Sequence, residues 1–259
     1  MGEEAFKSLP SLSKVTLPDT IQMIDNKAFN GCFNLEKINL HSCVHIGDEA
    51  FNGCFNLEEI NLYSCQYIGH GAFKDCYKLE EINLYSCQYI GCEAFKECNK
   101  LQEINLDSCV HIGDEAFMAC RSVEKEINLL NCISIGNSAF AHCIKLEKIK
   151  FAPCLKEIGE EAFYQCIKLK DVNLLGCNIT NLKKGTFCAC YNLTSFISTN
   201  SLKTIGKEAF AFCVNLRTVC LLYNEGSLKT IEFGAFSNCE QLVSEVIPFK
   251  VKTIGICAF

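Results

Sequence analysis

Cysteine is the most conspicuous reactive residue type in this chain, because it fills 21 of 259 positions. Ten cysteines stand three residues after a phenylalanine: Cys32, Cys54, Cys76, Cys98, Cys120, Cys143, Cys166, Cys190, Cys213 and Cys239. Seven more stand three residues after a leucine or, for Cys154, a phenylalanine: Cys43, Cys65, Cys87, Cys109, Cys132, Cys154 and Cys177. Both sets recur at fixed positions, so we expect inward-facing free thiols that act as small hydrophobic residues with a weak S–H donor.

Disulfide formation and metal binding are the rival chemistries for these thiols. Neighbouring cysteines with Cα atoms about 4.8 Å apart would fall within the range of a disulfide. However, each cysteine would have two equivalent neighbours, and the Cβ vectors would run parallel and not converge, so disulfides are disfavoured. A metal site is expected to show closely spaced ligands, and the chain has no Cys-x-x-Cys pair; His41-x-Cys43-x-His45 is the one suggestive cluster. The sequence predicts no metal and no cofactor.

Acidic pairs such as Glu58-Glu59 and Glu80-Glu81 could be mistaken for catalytic carboxylates. They recur with the same period as the cysteines, which is typical of a solvated face. The sequence also contains no nucleophile elbow, phosphate-binding loop or kinase signature. We therefore expect that the protein is not an enzyme.

The dipeptide Ala-Phe reveals the repeat that positions these residues. It occurs at Ala5, Ala28, Ala50, Ala72, Ala94, Ala116, Ala139, Ala162, Ala209, Ala235 and Ala258, and Thr186-Phe187 fills the gap. The spacing is 22 or 23 residues with two longer intervals, a period typical of solenoids. Such units bury their apolar edges only by stacking on each other.

Each repeat unit predicts one strand and one tight turn. Leu57-x-x-Ile60-x-Leu62 has the alternation of a half-buried strand, and Ala72-Phe73-x-x-Cys76 fits a single helical or 3₁₀ turn. A recurring glycine, such as Gly69, is expected to supply a permissive backbone at the corner. We predict an α/β-type repeat solenoid with a parallel β-sheet on the concave side and short helical or 3₁₀ turns on the convex side. It forms one domain, 1–259, regular over 1–177 and more divergent over 178–259.

The repeated pattern resembles the BspA-like leucine-rich repeats. The resemblance is carried by Ile-Gly-x-x-Ala-Phe-x-x-Cys-x-x-Leu-x-x-Ile-x-Leu, as in Ile90 to Leu106. The second cysteine of the unit, as in Leu62-x-x-Cys65, is similar to cysteine-containing leucine-rich repeats. The resemblance implies a recognition protein, since proteins of this family are mostly surface or secreted recognition proteins.

Composition limits the partner and the location. The formal net charge of −6 argues against nucleic acid or an anionic membrane surface as the main partner. No apolar run reaches the roughly 18 to 20 residues of a membrane span, and residues 1–6 lack the features of a signal peptide. We expect a cytoplasmic protein; the alternative is a cell-surface or secreted protein whose signal lies outside this sequence.

The outward residues of the predicted strands suggest a binding face on rungs two to five. Tyrosine is a favoured interface anchor, and carboxylates would attract a protein partner with a basic surface. The candidate partner-binding residues are His41, Glu59, Asn61, Tyr63, Glu81, Asn83, Tyr85, Glu103, Asn105 and Asp107. In the alternative interpretation, the asparagine column only links the strands through amide hydrogen bonds.

Three functions follow from these observations. The leading hypothesis is non-catalytic protein–protein recognition or scaffolding through the concave face. The alternatives are a cell-surface adhesin or receptor ectodomain and an architectural subunit of a larger assembly. No polar capping repeat follows Phe259, so we also expect an end-to-end contact or a continuation at the C-terminal rung.

Overall fold

Two columns of short parallel strands form the solenoid. The computed structural model describes residues 1–222, 227–243 and 247–259, and every strand pairing within them is parallel. The concave strands, which number the rungs, are β1 (Lys14–Val15), β3 (Lys37–Ile38), β5 (Glu59–Ile60), β7 (Glu81–Ile82), β10 (Lys125–Leu129), β12 (Leu146–Phe151), β14 (Asp171–Asn173), β16 (Ser195–Ile197) and β18 (Thr218–Cys220). At rung five, Glu103 joins Glu81 through a single parallel bridge.

A second strand in each rung, which the sequence analysis did not predict, forms the flank of the solenoid. The flank strands are β2 (Met23–Ile24), β4 (His45–Ile46), β6 (Tyr67–Ile68), β8 (Tyr89–Ile90), β9 (His111–Ile112), β11 (Ser134–Ile135), β13 (Glu157–Ile158), β15 (Asn181–Leu182), β17 (Thr204–Ile205), β19 (Thr230–Ile231) and β20 (Thr253–Ile254). They make a seven-stranded sheet from β2 to β13 and a four-stranded sheet from β15 to β20. Only two residues of each rung pair here, which is too short a run to show strand alternation in the sequence.

The convex segment consists of turns, so the predicted helical or 3₁₀ turns are wrong for the described residues. The residue before each Ala-Phe and the residue two after it have a positive φ, as at Lys27 (55°) and Gly31 (73°). This alternation interrupts any helix and directs backbone N–H groups toward the next rung. The Phe29 N–H donates to the Ala50 carbonyl at 2.8 Å, and the Gly31 N–H to the Asn52 carbonyl at 2.9 Å. A helix would have satisfied these donors inside its own rung.

The phenylalanines of the repeat form a continuous stack through the core. Their ring centroids lie 5.1–5.5 Å apart with interplanar angles of 1–15°. The stack, called the phenylalanine spine below, contains Phe6, Phe29, Phe51, Phe73, Phe95, Phe117, Phe140, Phe163, Phe187, Phe210, Phe236 and Phe259. Its inner rings are fully buried. The predicted inward column of the repeat is therefore the centre of the core.

The recurring glycine serves close packing and not the flexible corner that the sequence suggested. None of the glycines at this repeat position, including Gly69 and Gly91, has a positive φ. A Cβ atom on Gly91 would lie 2.6 Å from the carbonyl carbon of Gly69 in the preceding rung. Glycine is required here because backbone packs directly on backbone.

The cysteines of both columns are free thiols that satisfy backbone carbonyls, as predicted. In the first column each Sγ donates to the carbonyl of the spine phenylalanine one rung earlier; Cys98 contacts Phe73 O at 3.2 Å and Cys120 contacts Phe95 O at 3.1 Å. In the second column the thiols donate to carbonyls at the strand-to-flank corner, as Cys65 does to Tyr67 O at 3.3 Å. Cys220, which lies outside both columns at the end of β18, is exposed.

Burial raises the pKa of the thiols that lie inside the core, because a thiolate would lose its hydration there. The pKa of Cys143 rises to about 12 and that of Cys177 to about 11, with desolvation as the largest cause in both. In the middle of the first column, the pKa of Cys120 lies well above its ordinary value for the same reason. These thiols are therefore protonated and unreactive near neutral pH.

The phenylalanine spine predicts a large cost for removing one inner ring. Phe95→Ala should lower the free energy of unfolding by about 3 to 5 kcal/mol, because it leaves a cavity between two stacked neighbours. Phe55→Ala is the matched control, since Phe55 is exposed and stacks at the surface on Phe33 at 5.0 Å. The control should cost no more than about 1.5 kcal/mol. Equal losses in urea denaturation would contradict the spine as the main source of stability.

The buried thiols predict two distinct levels of reactivity. Titration with a thiol reagent at neutral pH, without reductant, should modify few cysteines in the native protein, beginning with the exposed Cys220 and Cys257. After denaturation the count should approach all 21. A low count in the denatured protein would show that the columns are disulfide-bonded.

The raised thiol pKa values also predict alkaline instability. The unfolded chain releases its thiol protons near pH 9.0, whereas folded Cys143 keeps its proton to about pH 12. The folded state binds more protons in this window, so the free energy of unfolding should fall as pH rises above 9, by up to about 1.4 kcal/mol per pH unit for each thiol. Urea midpoints measured under reductant from pH 8 upward would test this. Cys120→Ser with Cys143→Ser should give a shallower slope, and an unchanged slope would contradict the assignment.

Candidate binding groove on the concave face

The concave strands border a continuous groove of about 840 Å³. Its floor is formed by the outward residues of β1, β3, β5, β7 and β10 and by the rung-five segment from Glu103 to Asp107. Eight of the ten predicted partner-binding residues line it: Glu59, Asn61, Glu81, Asn83, Tyr85, Glu103, Asn105 and Asp107. Register pairing brings them together, because Glu59, Glu81 and Glu103 occupy the same position in three successive rungs.

His41 and Tyr63 do not line the groove. Tyr63 packs edge-on against Tyr85, with ring centroids 6.1 Å apart and an interplanar angle of 64°. The two tyrosines remain 57% and 54% exposed, which leaves large apolar surfaces at the edge of the groove. His41 lies one rung earlier and turns toward Asn39 and Asp19, with Nδ1 2.9 Å from Asn39 Oδ1 and Nε2 3.6 Å from Asp19 Oδ1.

The asparagine column caps the ends of the strands and does not link them. The Oδ1 atoms of Asn61 and Asn105 each accept a hydrogen bond at 3.0 Å from the backbone N–H two residues later. This is the local Asx turn that asparagine favours. Among the described residues no asparagine of this column bonds another, so the amide-ladder alternative is wrong. The side-chain N–H groups of Asn61, Asn83 and Asn105 have no acceptor among the described residues, so they are available as donors in the groove.

Asn128 departs from this pattern because of one extra residue in its rung. The insertion produces an irregular register between Lys125 and Glu126, and Lys125 has a φ of 63°. Asn128 then lies inside the longer strand β10 and makes no Asx turn. Its Oδ1 is buried without a hydrogen-bond partner, at the far end of the groove.

The three glutamates of the groove differ in their ion pairing. Lys37 lies 3.9 Å from Glu59, and Lys125 lies 2.8 Å from Glu103. The Lys125 hydrogen bond is the main reason that the pKa of Glu103 lies below its ordinary value. Glu81, between them, has no ion pair within the described part of the chain. The glutamate column is thus less acidic than the sequence suggested, and Glu81, the unpaired member of these three, lies at the centre of the groove.

Sequence reasoning missed the lysines that close the groove at each end. Lys37 and Lys125 line it, as does Lys14. The signal was present, since these lysines occupy the same repeat position as the glutamates. Their effect on the charge of the groove depends on which glutamates they pair with. Those pairs depend on which side chains are long enough to contact each other across adjacent rungs.

The suggestive His41, Cys43 and His45 cluster does not converge on one point. Cys43 is buried and donates to the carbonyls of Gln22 and His45. The His45 ring stacks on Tyr67 on the flank, with centroids 4.5 Å apart. Because His41 turns toward Asn39, the three side chains contact different parts of the molecule. No group of three or more metal-ligating side chains occurs within residues 1–222, 227–243 and 247–259.

Comparisons with known proteins agree with this architecture. The chain is similar in structure to a leucine-rich repeat protein from Bacteroides ovatus, with 23% identity, a TM-score of 0.51 and coverage of 95% of this chain and 84% of that one. It is also similar to a leucine-rich repeat protein from Eubacterium ventriosum, with 17% identity, a TM-score of 0.50 and coverage of 95% and 82%. Comparison with curated proteins finds no significant match. In the described residues no helix has the length and apolarity to cross a membrane.

The family model described as the BspA type leucine rich repeat region (6 copies) matches this chain over residues 1–124, 111–225 and 223–259. These matches cover the repeats from which the phenylalanine spine, the glycine packing and the two thiol columns are built. The chain therefore belongs to the BspA-type leucine-rich repeat family.

Proposed function

We propose that this chain is a non-catalytic recognition protein whose concave groove binds a protein partner. The observation that carries the proposal is the continuous groove, which spans several rungs and combines unpaired amide donors with the exposed Tyr85 in its lining and the exposed Tyr63 at its edge. Tyrosines supply large contact areas at little entropic cost and are frequent energetic anchors of interfaces. The asparagine donors are held in place by their own capping bonds, so binding need not order them first.

The charges of the groove favour a partner that places one basic side chain at its centre. Lys37 and Lys125 already neutralise Glu59 and Glu103, respectively. Glu81 remains, with an acidic neighbour on each side in the same register. A lysine or arginine of the partner would relieve the repulsion among these carboxylates and pair with Glu81. Acidic groups of the partner would be accommodated toward the lysines at the groove ends.

The tyrosines at the groove edge give the sharpest test. Peptides selected from a displayed random library on the wild-type protein would be synthesised and their affinities measured by calorimetry. Tyr63→Ala with Tyr85→Ala should weaken groove-binding peptides by at least about 2 kcal/mol, the scale of an interface hot spot. Protein stability should change little, because both side chains are more than half exposed.

The matched control replaces two exposed tyrosines of another column, Tyr77→Ala with Tyr191→Ala. It should leave peptide affinity unchanged. Glu81→Gln should weaken the peptides that carry a lysine or arginine more than those that do not. Peptides that lose affinity in the control variant and keep it in the groove variant would contradict the concave site.

A cell-surface location is the second candidate, and family membership supports it. The cytoplasmic location expected from the sequence gains no support from the BspA-type match. Surface labelling of intact cells with a membrane-impermeant reagent would separate the two locations. The architectural subunit and the end-to-end contact at the C-terminal rung stay predictions; neither gains a specific supporting observation.

A further inference from the structure

Charge is distributed unevenly along the solenoid. Residues 1–177 contain 16 Lys and Arg and 25 Asp and Glu, which gives a formal charge of −9. Residues 178–259 contain eight Lys and Arg and five Asp and Glu, which gives +3. The divergent rungs are therefore basic, although the whole chain is acidic.

Three lysines of these basic rungs occupy one position in successive rungs. Lys203, Lys229 and Lys252 immediately precede β17, β19 and β20, whose threonines Thr204, Thr230 and Thr253 are in register. The backbones of the lysines are joined directly: the Lys229 N–H donates to Lys203 O and the Lys252 N–H to Lys229 O, each at 2.8 Å. We call these three residues the lysine ladder.

The lysine ladder lacks the acidic neighbours that pair other lysines of the C-terminal part of the chain. All three side chains are exposed, and none forms an ion pair within the described residues. By contrast, Lys183 pairs with Glu157 at 2.6 Å and Lys207 with Glu208 at 3.7 Å. In the first six rungs the equivalent position holds uncharged residues: Gln22, Val44, Gln66, Gln88, Val110 and Ile133.

Like charges in register repel each other, so the lysine ladder does not stabilise the fold. Strands of one sheet are about 4.8 Å apart, and like charges directly opposite one another are destabilising. An array of anions bound along the ladder would remove this repulsion. The threonine beside each lysine adds a hydroxyl donor, which suits the oxygens of a sulfate or carboxylate.

The residues beside the lysine ladder indicate which class of polyanion it would bind. Single-stranded nucleic acids are held by aromatic stacking platforms, and the two ladder columns contain only lysine and threonine in these three rungs. Attraction to an anionic bilayer takes clusters of about four to eight basic residues, whereas this is a single file of three. We propose that the lysine ladder, with Thr204, Thr230 and Thr253, binds one chain of an acidic polysaccharide.

Binding of the full chain to dextran sulfate and to polygalacturonate, with neutral dextran as the blank, tests this proposal. The two polymers distinguish sulfate from carboxylate as the recognised group. Lys203→Gln, Lys229→Gln and Lys252→Gln together should weaken binding to at least one polymer by roughly tenfold or more. The slope of log affinity against log salt should become shallower by about three. Thermal stability should be unchanged or slightly raised, because the repulsion is gone.

The matched control removes the same charge elsewhere. Lys78→Gln, Lys145→Gln and Lys168→Gln change three exposed lysines that have no ion pair within the described residues. This variant should bind the polymers within twofold of wild type. Equal losses in the two triple variants would reduce the effect to general charge and overturn the proposal. It would also be overturned if neither polymer bound, or if the ladder variant lost binding to an oligonucleotide or to anionic vesicles but not to the polymers.

Discussion

Hydrogen bonding between successive rungs is the constraint from which the other features of this solenoid follow. The convex turns pass their N–H groups to the next rung, as Phe29 does to Ala50 at 2.8 Å. This fixes the rung spacing at the distance where flat rings stack, and the spine rings lie 5.1–5.5 Å apart. The same closeness excludes a Cβ atom at Gly91, where backbone meets backbone.

The cysteines complete this hydrogen-bonding scheme. Each spine carbonyl accepts a backbone N–H from its own rung, as Phe73 O does from Cys76 at 3.2 Å, and its second lone pair receives a thiol from the following rung, as Phe73 O does from Cys98. A thiol is small enough for a fully buried column and costs little to desolvate, unlike a charged or amide donor. Its abundance in this chain is thus a consequence of the repeat geometry. The raised pKa values of these thiols are a result of the same burial.

Stacking identical rungs has opposite consequences for apolar and for charged columns. Aromatic rings and thiols are stabilised by identical residues in the adjacent rungs, whereas carboxylates and ammonium groups are destabilised by them. Where a charged column is interrupted, as by Lys37 and Lys125 around the groove glutamates, the charges neutralise each other. Where it is not, as at Glu81 and in the lysine ladder, charge remains available to a partner. The unpaired members of such columns are therefore the positions on which recognition is proposed to depend.

The amino-acid sequence by itself determined the solenoid, its strand column, its buried spine and its two inward columns of free thiols. These follow from a period of 22 or 23 residues and from local alternation, which specify which side chains face inward without reference to distant residues. Tertiary structure decided the rest. Left-handed φ values at Lys27 and Glu49 cannot be read from residue type, because they are stabilised by acceptors one rung away, so a helical turn was expected where none forms. The column of groove residues was visible in the sequence, but whether Glu59, Glu81 or Glu103 has a lysine partner depends on side chains reaching across rungs. That reach is set by the stacked geometry and by the extra residue at rung six, and only the folded chain brings the partners within range.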